Sequence, residues 1–258
     1  MMASHEIAKS DYAAKAVEYQ AFYDKQSLMS RIDEDLFGAA VSDPTTQGAV
    51  ILDLGGGAGL KARMALDAGA AAVDVVDYSP EMMREGQEIE KGLGRDSIRW
   101  FEADVSQPLS HLPLHPQYDI LMANWVFDHA SSMEMLEGMF RNVASYLRPG
   151  GRLLCTRAGN PRAPCLLTGE LGVVYKDHEE IPGGLRYRFV FTALGIDFEG
   201  SSMEVMYSGS TEMFEKHGLI DIKNEPFENA EVVKENPELF KSFFEDPAFV
   251  ILKATKRQ

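Results

Sequence analysis

Three aspartates, a run of glycines and one histidine hold the chemistry that this sequence offers. Asp53 stands just ahead of Gly55, Gly56, Gly57 and Gly59. Asp77 and Asp104 each follow an apolar run, and His129 follows the stretch Asn124-Trp125-Val126-Phe127-Asp128. A glycine-rich turn lets a ligand lie against bare backbone. Carboxylates gathered beside it accept hydrogen bonds from hydroxyls and amines, or sit against positive charge. A neutral imidazole takes a proton from a nucleophile, and an unperturbed one titrates at about 6.5.

The elements around these residues must bring them together. Val50–Leu54 is an apolar, β-branched run that predicts a buried strand, followed by the glycine loop. Leu60–Ala68 predicts an amphipathic helix and Val73–Asp77 a second, parallel strand. Ser79 is placed to cap the next helix, with Pro80 at its first position and Glu81 in its first turn. Further strands are predicted at Ile98–Val105, Tyr118–Trp125 and Leu147–Leu154. Strand, glycine turn, helix and acid-terminated strand make the nucleoside-binding half of a Rossmann-like sheet. Ligands of such sheets collect beyond the carboxyl ends of the strands, where all three acids fall.

Spacing alone admits two nucleosides. Gly57, Gly59 and Ala62 satisfy G-x-G-x-x-A, with Asp77 about 20 residues further on, as a nicotinamide dinucleotide needs. Asp53 opposes that reading, because a carboxylate beside the turn repels a pyrophosphate, and Lys61 is the loop's only cation. S-adenosylmethionine suits the loop better. It has no phosphate, and its sulfonium and ammonium favour nearby negative charge. An NAD-dependent oxidoreductase remains the distant alternative.

The segment Asp53-x-Gly55-x-Gly57-x-Gly59 resembles the first motif of class I SAM-dependent methyltransferases, matching each fixed position. The resemblance runs on in order through Asp77, Asp104, the fourth strand and Leu147-Arg148-Pro149-Gly150-Gly151, covering roughly Val50–Asn160. It implies that Asp77 holds the ribose hydroxyls and that Asp104 accepts the adenine amino group. Asn124 would lie by the methionine part, contributing through its backbone. Tyr78 and Val105, beside two of the acids, complete the implied cofactor set. Taken singly, Asp77 or Asp104 is also read as an ordinary strand-end cap; the ordered constellation gives them weight.

Around this core the N-terminal ~45 residues read as helical. Tyr12 and Tyr19, seven apart, share a helix face. They resemble the opening "Y-x-x-x-A-x-x-Y-D" lid of small-molecule methyltransferases, although Gln20 stands where that pattern has Asp. Packing aromatics are the competing reading. After Ala158-Gly159-Asn160-Pro161, strands are predicted at Leu185–Phe191 and Met203–Tyr207, a helix at Thr211–His217, and closing strands near Ile220–Phe227 and Ala248–Ala254. The last would be the antiparallel strand of the sheet. The Asn160–Gly218 region resembles the toxoflavin synthase-like branch of the family, and an insertion there roofs the acceptor pocket. Tyr175, Arg186, Tyr187 and Arg188 are thus candidates for substrate contact, set against a plain reading as exposed faces of a two-stranded ribbon. Trp125 and Arg157 are further substrate candidates; Arg157 would bind a carboxylate or enolate, or pair with nearby acids.

The expected architecture is α/β: a seven-stranded, mostly parallel Rossmann-like sheet with helices on both faces. The expected divisions are a helical lid over 1–45, the cofactor core over 46–160, a substrate roof over 161–209 and the rest of the core over 210–258. A net charge of −15 argues against nucleic acid, whose binding depends on neutralising phosphates. No apolar run approaches the ~20 residues of a membrane span. The opening Met-Met-Ala-Ser-His-Glu lacks the pattern of a secretory signal. Cys155 and Cys165 read as reduced thiols of a cytoplasmic protein. No metal-ligand spacing is present: His111 and His115 lie among prolines.

Two functions of different class follow. The favoured one is methyl transfer from S-adenosylmethionine to an O, N or C nucleophile of a small molecule, in specialised metabolism, by a monomer or homodimer, releasing S-adenosylhomocysteine. His129 is the candidate base, with helix capping as its competing role. The alternative is a SAM-binding protein that transfers no methyl group, acting as a regulator or using the pocket for other chemistry.

Overall fold

The structure, a computed structural model, describes residues 4–24 and 27–258, apart from the side chains at 4, 5, 20 and 22–24. The first three residues, on which the reading of the N-terminus partly rests, lie outside the described residues. Three helices lead in: α1 (Ser4–Ala14), α2 (Ala16–Asp24) and α3 (Leu28–Val41). Ser27 caps α3, its side chain accepting from Ser30 N.

The core then alternates β1 (Val50–Leu54), α4 (Leu60–Asp67), β2 (Ala72–Asp77), α5 (Pro80–Leu93), β3 (Ile98–Glu102), β4 (Tyr118–Met122), α6 (Met133–Tyr146) and β5 (Leu147–Ala158). Short helices α7 (Pro164–Thr168), α8 (Glu204–Tyr207) and α9 (Glu212–Lys216) interleave with β6 (Val173–Ile181), β7 (Gly184–Phe191) and β8 (Ile196–Met203). The chain closes with β9 (Leu219–Asn224), α10 (Glu231–Glu235), α11 (Lys241–Glu245) and β10 (Phe249–Lys256).

Among the described residues the strands make two sheets. The larger has the order β3-β2-β1-β4-β5-β10-β9. β1 pairs in parallel with β2 and β4, while β10 runs antiparallel to both β5 and β9. The expected seven-stranded sheet with an antiparallel last strand is therefore present. Its central strands are buried on both faces, Ile51, Leu52, Val73, Val75 and Leu121 being inaccessible to solvent. Sequence order reverses at β1, between β2 and β4, so the open crevice lies over the β1 end that carries the glycine loop.

The second sheet, β6-β7-β8, is antiparallel, and it corrects the two-stranded ribbon expected from sequence. Leu185–Phe191 falls within a strand as expected. Met203–Tyr207 does not: β8 ends at Met203 and Glu204–Tyr207 is helical. Met203 and Met206, three apart, are both buried while Glu204 is exposed, which is a helical rather than an alternating pattern. Tyr12 of α1 packs on Phe198 of β8, with ring centroids 4.9 Å apart, so the N-terminal helix and the second sheet share aromatic packing. No helix among the described residues is long and apolar enough to cross a membrane.

Candidate active site

The glycine loop is shaped by positive φ. Gly55 (φ 70°), Gly57 (φ 54°) and Gly59 (φ 77°) occupy the left-handed region, which L side chains rarely adopt. Space is equally restrictive: a Cβ on Gly55 would lie 2.6 Å from Val126 Cγ2, and one on Gly56 would lie 2.7 Å from Asp53 Oδ2. Gly55 N donates to Val76 O at 2.8 Å, tying the loop to β2.

Asp77, at the end of β2, completes that tie. Its Oδ2 accepts from Gly57 N and its Oδ1 from Ser79 N, both at 2.8 Å. Burial raises the Asp77 carboxyl to about 6, with the backbone donors of Ser79, Gly57 and Tyr78 pulling the other way. Ser79 Oγ in turn accepts from Met82 N and caps α5 as expected. Beyond β3, Asp104 Oδ1 accepts from Ser106 N at 2.8 Å. The loop behind it is held by Asn142, whose Nδ2 donates to the carbonyls of Val105 and Gln107.

These elements enclose a cleft lined by Asp53, Gly55, Gly57, Asp77, Tyr78, Asp104, Val105 and Asn124, with Tyr12 of α1 and Tyr19 of α2 also in its lining. Asp53 is 1% exposed and its Oδ2 has no hydrogen-bond partner. Burial first, then the nearby Asp77, raises this carboxyl to about 7, while Lys61 opposes the shift. Lys61 itself is committed: its Nζ lies 2.7 Å from Asp33 Oδ2 and 4.7 Å from the centre of the Phe37 ring. The cleft thus presents a buried carboxyl whose ionisation a bound cation would favour, beside a lysine already paired with another acid. That donor set fits an ammonium and a sulfonium, and it opposes a pyrophosphate.

A second cavity lies behind the first. Tyr12, Tyr19, Trp125 and His129 line both, so the two cavities adjoin at these side chains. The Tyr12 hydroxyl and His129 Nε2 are 3.2 Å apart, with the rings edge to face. Trp125 has φ 60° and packs on Phe249, with centroids 5.1 Å apart. A bulky residue in that conformation is held there at a cost of about 1–3 kcal/mol by the structure around it. The far side of the cavity carries Tyr175 and Tyr187, whose rings stack at 4.6 Å.

Sequence reasoning missed two buried acids here. Asp33, from α3, and Asp128, beside His129 on the 3-10 turn Phe127–His129, both line the second cavity. Asp128 Oδ1 accepts from Ser202 Oγ at 3.0 Å, and Ser202 is 2.8 Å from the Tyr187 hydroxyl. Burial pushes the Asp128 carboxyl up to about 7, while Ser202, the Ala158 amide and the charge of Arg157 pull it back. Acids on the apolar face of a helix and inside an aromatic segment were the available signal.

Other expected residues lie elsewhere. Gly59 lines neither cavity; it is the N-cap of α4, against the Trp100 ring. Arg157, expected at the substrate, also lines neither, and its Nη1 donates to the Ser210 carbonyl at 3.2 Å. Arg186 pairs with Glu179 at the surface. Arg188 pairs with Asp197 and reaches Asp11 of α1 at 3.1 Å, so it fastens α1 to the second sheet. The ribbon alternates sides, and these cationic positions face away from the cavity that Tyr187 faces.

Residues 52–153 match a family model described as "Methyltransferase domain". A protein N-terminal and lysine N-methyltransferase EFM7 of Cryptococcus neoformans is 35% identical over 112 residues, 39% of this chain and 37% of that protein. The chain therefore spans little more than a third of the curated relative's length. Solved structures of similar fold include a Burkholderia thailandensis 1,6-didemethyltoxoflavin-N1-methyltransferase with bound 1,6-didemethyltoxoflavin and S-adenosylhomocysteine. It aligns at TM-score 0.57 and 16% identity, over 100% of this chain and 92% of its own. A DhpI-SAM-HEP complex aligns at TM-score 0.61 and 18% identity, covering 95% and 94%.

Proposed function

We propose that the chain is a class I SAM-dependent methyltransferase, its residues 52–153 matching the methyltransferase-domain model, and that it methylates a small molecule bound in the aromatic cavity beside the cleft. The observation that carries this reading is the shared lining. Tyr12, Tyr19, Trp125 and His129 line both cavities, so a donor in one and an acceptor in the other would meet where the two adjoin.

Each residue of the cleft has a part in this reading. Asp77 accepts from the ribose hydroxyls, Asp104 from the adenine amino group, and the buried Oδ2 of Asp53 balances the methionine ammonium. Bound S-adenosylmethionine supplies a methyl carbon made electrophilic by sulfonium. Tyr12 and Tyr19 exclude water, and the cavity walls hold the acceptor in line, which alone accounts for much of the rate. His129 takes the acceptor's proton where the nucleophile carries one, with the Tyr12 hydroxyl fixing the ring.

The roof favours a small acceptor over a protein tail. β6, β7 and α3 supply the cavity's outer lining, and α1 packs against β8. Incubation with a panel of small nucleophiles, scored by S-adenosylhomocysteine release, tests the reading. Turnover of small molecules supports it; turnover of protein or peptide amines alone overturns the acceptor class. Thermal shifts with S-adenosylmethionine, S-adenosylhomocysteine and NAD test the cofactor, and stabilisation by NAD alone would refute it.

A further inference from the structure

The acceptor cavity has a polarity that the methyltransferase reading does not require. Its walls are aromatic, with Tyr19, Trp125, Tyr175, Tyr187, Phe189 and Phe191 presenting rings. Among the described residues no lysine or arginine lines it. Two carboxylates do, and they differ. Asp33 is neutralised by Lys61, with Nζ 2.7 Å from Oδ2. Asp128 is 6% exposed; its carboxyl receives the Ser202 hydroxyl on Oδ1 and is also held by the Ala158 amide, while Oδ2 has no close hydrogen-bond partner. Arg157 acts on it only through space, since its own Nη1 is given to the Ser210 carbonyl.

A buried carboxyl oxygen without a hydrogen-bond partner, on a residue that lines an aromatic cavity, is costly unless a donor or a positive charge reaches it. Aromatic faces attract cations through their quadrupole, at about 0.5–2 kcal/mol each as water is excluded. An anionic acceptor would be repelled by Asp128, and no cation among the described residues lines the cavity to hold it. A neutral alcohol could hydrogen-bond the carboxyl but would gain no cation–π attraction from the rings. A cationic acceptor is otherwise repelled by the sulfonium, and Asp128 is the cavity acid that offsets that.

We propose that the acceptor is an amine carried on an apolar or aromatic body, and that Asp128 is the residue that selects it by pairing with its ammonium. This rests on the methyltransferase reading and narrows its substrate class to N-methylation. His129, next to Asp128 on the same turn and lining both cavities, takes one proton from the ammonium. The freed nitrogen lone pair forms the N–C bond as the C–S bond breaks, its electron pair passing to sulfur. The product leaves as the N-methylated cation, and the proton on His129 returns to solvent.

The test uses three probes of one shape: phenethylamine, 2-phenylethanol and phenylacetate. Their binding to the full chain is measured by calorimetry, with and without saturating S-adenosylhomocysteine. The expected order is amine first, alcohol weaker by about tenfold or more, and acid undetectable, a tenfold step being about 1.4 kcal/mol. Asp128→Asn is expected to erase the preference for amine over alcohol while leaving S-adenosylhomocysteine affinity unchanged. Should the variant not fold, the probe order on the unaltered chain decides. Equal or better binding of the alcohol or acid overturns the proposal, as does failure of the amine to bind. Loss of the methyltransferase reading looks different: S-adenosylhomocysteine itself would not bind.

Discussion

Asp77 Oδ2 accepts a hydrogen bond from Gly57 N at 2.8 Å, so the acid ending β2 restrains the glycine loop from across the cleft. The same carboxyl, through Oδ1, holds Ser79 N and with it the start of α5. The residue proposed to bind ribose is thus also the clasp between the two backbone segments that form the site.

Asp77→Ala is therefore expected to weaken S-adenosylmethionine binding at least about tenfold. It removes charge-assisted bonds to two hydroxyls and releases the loop, each worth on the order of 1–3 kcal/mol. Calorimetric titration measures it. Unchanged affinity would remove Asp77 from the ribose role.

Asp53 predicts a pH-dependent stability. Its carboxyl rises from the ordinary 3.8 to about 7 in the fold, so the folded state holds the proton more tightly than the unfolded chain. Stability from this group is fully present below the ordinary value and is lost as pH rises through about 7. Asp53→Asn removes that titration. Without cofactor, the variant is expected to be more stable than the parent at pH 8, by on the order of 2 kcal/mol, with the gap closing toward pH 5. Asp128 shifts in the same direction in both proteins, and the difference between melting curves reports Asp53 together with its charge coupling to Asp77. The stabilisation given by S-adenosylmethionine should shrink in the variant. A gap that is constant with pH would contradict the account.

Asp11 predicts how the lid is fastened. Its carboxylate receives Arg188 Nη1, Glu199 N and Lys15 Nζ, each at 3.1 Å, joining α1 to β7 and β8. Asp11→Ala is expected to speed S-adenosylmethionine release about fivefold, corresponding to loss of about 1 kcal/mol from the closed lid. Arg188→Ala should act in the same direction, and the double variant should release little faster than either alone. Stopped-flow displacement reads these rates, and fully additive effects would show that the two residues act separately.

The cofactor side was legible in the sequence because its constraints are local. Positive-φ glycines, an acid at a strand end and Ser-Pro at a helix start each leave a mark within a few residues. The second cavity was not, because long-range packing decides it. β6 carries Lys176-Asp177-His178-Glu179-Glu180 on a sheet edge, with Asp177 at φ 54° where the register shifts, so no alternating apolar pattern shows it. β8 contains Gly200-Ser201-Ser202, poor strand formers that pair because β7 is already there. Arg157 and Arg188 had the chemistry of substrate contacts, but their side chains are committed to Ser210 and Asp11. Asp128 was hidden by its neighbour His129, the more familiar base.

His129 and Tyr12 give the last prediction. Nε2 faces the Tyr12 hydroxyl at 3.2 Å where the two cavities adjoin, 117 residues apart in sequence. If His129 removes the acceptor's proton, His129→Ala should lower turnover by about a hundredfold, within the usual range for a general base. Affinity for S-adenosylmethionine should be nearly intact, because the cleft's acids and backbone donors are untouched. Tyr12→Phe keeps the ring that packs on Phe198 and removes only the hydroxyl. It should cost less, about fivefold to tenfold in kcat, because the imidazole loses its orienting partner but not its basicity. The pair of variants separates the possible roles. A fall in kcat for both at constant affinity makes His129 the base and Tyr12 its positioning residue. A fall in affinity without loss of kcat makes both parts of the lid. Unchanged turnover in His129→Ala makes the histidine structural and leaves the rate to positioning alone.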